Sequence, residues 1–79
     1  MNLTPAKRRL LLVMLKTEGA PDDARSRAML KVDPNGVCYM SLQNHKMVAP
    51  PGVLTKAGRA LAVEISALAP PAAQEGGDA

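Results

Sequence analysis

Val53-Leu54-Thr55-Lys56-Ala57-Gly58-Arg59-Ala60-Leu61-Ala62 follows the tight turn Ala49-Pro50-Pro51-Gly52. A Leu-Thr pair, a Gly three residues after the Thr, then a basic residue and Ala/Leu read as a strand running straight into a helix. Thr55 is a good N-cap, because its hydroxyl can accept from an early helical N–H. Leu54 ends the strand with its side chain inward. Gly58 falls in the first helical turn, where a missing Cβ lets another backbone approach closely. The last helix is predicted from Thr55 to about Leu68, burying a stripe of Ala57, Leu61, Ile65 and Leu68, and Pro70-Pro71 ends it.

Upstream, the first helix carries clear signals at both ends. Thr4 is the N-cap candidate, Pro5 takes the first helical position where a missing N–H costs nothing, and Gly19 is placed as the C′ residue. Ala6, Leu10, Leu11, Val13, Met14 and Leu15 form one apolar arc. Leu12 falls outside that arc, between Arg8 and Lys16, either as a single exposed leucine or as a helix–helix dimer contact. After Ala20-Pro21, Asp22 or Asp23 caps a second helix to about Lys31. Its few apolar positions are Ala24, Ala28 and Leu30, and Arg25, Arg27 and Lys31 give it a basic face.

Residues 32–42 allow two readings. In one, Asp33 caps a third helix, Pro34 is its first residue, and Val37, Tyr39 and Leu42 point partly inward. In the other, Asp33-Pro34-Asn35-Gly36 is a type I turn with a left-handed Gly, joining two strands in which Cys38, Met40 and Leu42 alternate with Val37, Tyr39 and Ser41. The downstream Met47-Val48 and the Leu-Thr-x-x-Gly motif favour the helix. Met47-Val48 then forms a first short strand, Ala49–Gly52 the turn and Val53-Leu54 the second strand.

Composition narrows the class. The 79 residues contain no Trp or Phe, and Tyr39 is the only aromatic residue, so the core must be Leu, Val, Met and Ala. Ten Lys/Arg and five acidic residues lie within 1–66, and Glu75 and Asp78 carry the remaining negative charge. That positive excess is compatible with a phosphate-binding face. Residues 69–79 lack apolar periodicity and read as a disordered tail after a domain over 1–68. One cysteine, Cys38, excludes an internal disulfide and is too little for a zinc site; no metal or cofactor is expected. No apolar run reaches the roughly 20 residues of a membrane span, and a soluble cytoplasmic protein is the plain reading. An enzyme is not expected. His45 is the only histidine, and seven helical residues put it roughly 10 Å from Cys38, too far for a nucleophile–base pair. Asp22-Asp23 suit the helix dipole and need no catalytic role.

The turn, strand and helix at 49–68, with the hydrophobe–cap–Pro opening at Val32-Asp33-Pro34, resemble the winged helix-turn-helix DNA-binding domains. The resemblance covers nearly all of residues 3–68. It implies a mainly α fold with a short β-hairpin: three core helices, a C-terminal helix and a minimal wing at 47–54. It further implies a small transcriptional regulator reading duplex DNA with a recognition helix near 34–46. Base contacts then fall to Asn35, Ser41, Gln43, Asn44 and His45, since Asn and Gln can bond adenine bidentately. Phosphate contacts fall to Arg25, Arg27, Tyr39, Lys46, Lys56 and Arg59. A homodimer, with Leu12 as its contact, would enlarge the small footprint of one short helix. The alternative is a winged helix that docks on a protein partner as adaptor or inhibitor without binding DNA. An exposed Leu12 and five methionines suit such a surface, although methionines also fill an aromatic-free core.

Overall fold

The computed structural model describes residues 2–68, and the expected tail at 69–79 lies outside them. Four helices and one antiparallel hairpin follow in the order α1 (Pro5–Lys16), α2 (Asp22–Val32), α3 (Val37–Asn44), β1 (Val48–Ala49), β2 (Val53–Leu54) and α4 (Lys56–Leu68). The hairpin pairs Val48 with Leu54 and Ala49 with Val53, and its turn contains a cis Pro50–Pro51 bond. The first strand thus starts at Val48 rather than Met47.

The centre of the fold is α1, which packs most extensively on α4 and also touches α2, α3 and β2. Leu10, Leu11 and Met14 of α1 are fully buried together with Leu42 of α3, Val48 of β1 and Ala62 of α4. Each buried leucine or methionine contributes roughly 1.5–3 kcal/mol by leaving water, so one α1 turn supplies much of the drive for collapse. Thr4 caps α1 as expected, its Oγ1 accepting from Lys7 N–H at 3.3 Å. The far end closes at Thr17, whose hydroxyl donates to the Val13 carbonyl at 2.7 Å; with Thr17 as C-cap, the C′ residue is Glu18, and Gly19 (φ 85°), expected at C′, turns the chain one residue later. Leu12 is half-buried.

Both ends of α2 differ slightly from expectation. Pro21 is the N-cap and makes no side-chain bond, so Asp22 and Asp23 lie inside the first turn, where carboxylates favour the dipole. At the other end, both readings of 32–42 hold one correct piece. Gly36 N–H donates to the Asp33 carbonyl at 3.2 Å with Gly36 at φ 72°, the turn that the hairpin reading required. The chain leaves that turn as a helix, not a strand. The Asp33 carboxylate makes the difference: it accepts from Cys38 N–H at 3.1 Å and Tyr39 N–H at 3.0 Å, satisfying two amides of the first turn of α3. Asp33 therefore caps α3 from three residues before Gly36, the backbone N-cap, and is buried at 8% exposure. Pro34 and Asn35 belong to the turn, and Val37, 65% exposed, points out rather than partly inward.

Thr55 joins the hairpin to α4. Its Oγ1 accepts from Gly58 N–H at 3.0 Å and donates to the Lys46 carbonyl at 2.6 Å. Gly58 is buried, and a Cβ there would overlap the Met47 carbonyl oxygen and stand 2.7 Å from its carbon. The close backbone approach predicted at Gly58 is the contact that sets α4 against Met47, in the segment joining α3 to β1. It also fixes the helix phase. The inward stripe is Gly58, Leu61, Ala62 and Ile65, whereas Ala57 and Leu68 (76% exposed), both expected inside, are exposed.

Candidate nucleic-acid interface

Leu42, Cys38 and Tyr39 turn one side of α3 to the core. At 100° per residue, the opposite side is Val37, Met40 and Asn44, with Ser41 and Gln43 on its flanks. Val37 and Met40 are 65% and 64% exposed, and Gln43 and Asn44 are exposed. The outward face is thus more apolar than the sequence reading supposed. It was legible as the i, i+3, i+7 positions facing away from Leu42.

The end of α3 has unusual geometry. His45 is the C-cap, and its Nδ1 lies 2.9 Å from the Ser41 carbonyl. Lys46 follows at φ 64°, the left-handed region. Its N–H donates to the Gln43 carbonyl at 3.0 Å, and Met47 N–H donates to the Leu42 carbonyl at 2.8 Å. These two bonds form a Schellman motif, whose left-handed C′ position is normally glycine. An L side chain there costs about 1–2 kcal/mol. The Thr55–Lys46 bond then brings the start of α4, with exposed Lys56, beside this cap.

The structure divides the other expected phosphate ligands. Arg59 is at the same end but is tied to Glu18, Nη2 to Oε1 at 3.1 Å. Arg25 is half-buried, its Nε 3.5 Å from Thr17 Oγ1. Arg27 pairs with Asp23 at 2.9 Å and lines a different surface, the groove between α2 and α4. Tyr39 and Gln43 line a recess with Met29, Leu30 and the hairpin tip at Pro50 and Pro51. Asn35 lies in the turn before α3 rather than on the helix. Of the candidates, Ser41, Gln43, Asn44, His45, Lys46 and Lys56 are carried by α3, its C-terminal cap and the adjoining start of α4.

Among the described residues, no group of three or more His, Cys, Asp or Glu side chains could hold a metal ion, and no helix is long and apolar enough to cross a membrane. Burial, and secondly the Asp33 carboxylate, push the Cys38 thiol above its ordinary pKa, with Lys7 acting in opposition. No family model, curated protein or solved structure matches this chain. Function therefore has to come from the chemistry of the surface itself.

Proposed function

We propose that this chain is a small winged helix-turn-helix regulator that binds duplex DNA, with α3 in the major groove and the hairpin as a minimal wing. The observation that carries the reading is Lys46. A lysine in the left-handed cap of α3, where glycine would relax the backbone, keeps a cation at the tip of the helix that would enter DNA. Strain retained at one position is a pointer to function there. Exposed Gln43, Asn44 and His45 precede it and Lys56 adjoins it, so base-edge donors and phosphate ligands share one end of the surface. Val37 and Met40 offer apolar contacts of the kind that thymine methyl groups accept.

The same exposed Val37 and Met40 favour a second reading, an α3 face that docks on a protein without DNA. Fluorescence anisotropy of a labelled mixed-sequence duplex, titrated with protein at about 50 and 200 mM salt, separates the two. The DNA reading expects affinity that drops steeply between those salts. Absence of binding at the lower salt overturns it in favour of the protein-docking reading.

A further inference from the structure

On the side of the molecule away from α3, α1 forms the floor of an open groove whose walls are α2 and α4. Leu12 and Val13 lie on the floor, and Leu61 and Ile65 form the α4 wall. Arg8, Arg9 and Lys16 from α1 and Arg27 and Lys31 from α2 line it as well. Among the described residues, Glu64 is the only acidic one lining the groove. Asp23, paired with Arg27, is exposed at the outer edge of α2.

We propose that this groove is a docking site for an acidic amphipathic helix of a partner protein. The apolar strip at the bottom requires an apolar occupant, because aliphatic side chains gain by leaving water. The cations among the lining residues require acidic groups on the occupant, since complementary potentials steer encounter and reject like-charged partners. A duplex satisfies the cations but places phosphates and sugars over Leu12, Val13, Leu61 and Ile65. A second copy satisfies the apolar residues but sets five cations against five more. A helix with leucines at i, i+3, i+4 and i+7 and glutamates beside them satisfies both. This site is separate from the α3 surface and does not depend on DNA binding.

The test uses the full chain and a fluorescein-labelled Leu/Glu helical peptide of ~18 residues, about five turns. A scrambled isomer of the same composition is the comparison. The proposal expects the amphipathic peptide to bind at least ~10-fold more tightly than its isomer, a difference of about 1.4 kcal/mol. Leu12→Asp and, independently, Arg9→Glu should each remove at least ~10-fold of that affinity while leaving duplex binding and the circular dichroism spectrum unchanged. Arg9 is exposed, so its variant keeps the test intact if the change at half-buried Leu12 disturbs folding. Equal binding of the two peptides overturns the proposal, as does absence of binding, the outcome for a groove filled by a segment of the same chain. Concentration-dependent self-association abolished by Leu12→Asp also overturns it, by assigning the groove to a second copy.

Discussion

Replacing Gly58 with alanine should destabilise this protein, although glycine-to-alanine changes inside helices ordinarily stabilise by about 1 kcal/mol. The added methyl would overlap the Met47 carbonyl oxygen and sit 2.7 Å from its carbon and 3.1 Å from its Cα. These are backbone atoms, and they are held in place. Met47 N–H donates to the Leu42 carbonyl at 2.8 Å, the Met47 carbonyl accepts from Thr55 N–H at 3.1 Å, and Thr55 Oγ1 donates to the Lys46 carbonyl at 2.6 Å. Room for the methyl therefore comes from prising α4 off the Lys46–Met47 segment that follows α3. Overpacking costs about 1–3 kcal/mol, and each weakened hydrogen bond about 1 kcal/mol. Against the propensity gain, the net loss is about 3 kcal/mol. At roughly 4–8 °C per kcal/mol for a domain of this size, Tm should fall by more than ~10 °C in a far-ultraviolet circular dichroism melt. Ala60→Gly on the exposed side of α4 serves as the reference, with a loss of about 1 kcal/mol. A Tm for Gly58→Ala equal to or above that of the parent would refute the close approach.

Asp33→Ala removes the carboxylate that holds Cys38 N–H and Tyr39 N–H, and should cost about 2 kcal/mol in chemical denaturation with the loss centred on α3; an unchanged midpoint would contradict its capping role. Leu42→Ala, at a fully buried site, should cost about 2–5 kcal/mol, whereas Met40→Ala two residues earlier should stay within about 0.5 kcal/mol; equal losses in parallel urea titrations would mean α3 is rotated from the position described. Because burial first and the Asp33 carboxylate second raise the Cys38 pKa, the folded chain holds that proton more tightly than the unfolded chain. The associated stability is present at neutral pH and declines as pH rises past the pKa of the unfolded thiol. Alkylation of Cys38 by iodoacetamide should accordingly need a higher pH in the native protein than in denaturant, and coincident pH profiles would exclude the effect.

The sequence was most readable where a local signal and a packing requirement coincide. Thr4-Pro5 announces the start of α1, and Leu10, Leu11 and Met14 fall on one side of any helix begun there. Thr55 and Gly58 likewise fix both the start of α4 and the surface against which it lies. Reading was weakest where a turn signal and a helix signal overlap. Asp33-Pro34-Asn35-Gly36 is a genuine turn, and only a carboxylate reaching forward to Cys38 and Tyr39 makes the following residues helical. The expected α4 stripe fails at Ala57 and Leu68, because helical spacing from Leu61 and Ile65 leaves the phase open by part of a turn. A backbone contact at Gly58 sets the phase instead. For the candidate site, polar residues at 41–46 could be named from the sequence, but their partition could not. Which of Arg25, Arg27 and Arg59 shares a surface with α3 depends on helix rotation and on the Asp23 and Glu18 ion pairs. The left-handed backbone of Lys46 left no signal, since lysine is not the residue that position ordinarily selects.

That lysine also allows the most direct test of DNA binding by the α3 end. Lys46→Gly should relieve about 1–2 kcal/mol of left-handed strain, offset in part by the greater freedom of glycine in the unfolded chain. A small rise in Tm is expected. If Lys46 contacts a phosphate, the same substitution should weaken binding to all duplex sequences alike and reduce the slope of log affinity against log salt by about 1. The decisive measurement is that slope, determined by anisotropy for the parent, for Lys46→Gly and for Arg8→Ala/Arg9→Ala on the opposite groove. A slope reduced only in the Lys46 variant, with its Tm unchanged or raised, is the predicted result. A slope unaffected at Lys46, or reduced only by the Arg8/Arg9 change, would show that α3 and its cap are not the surface that meets DNA.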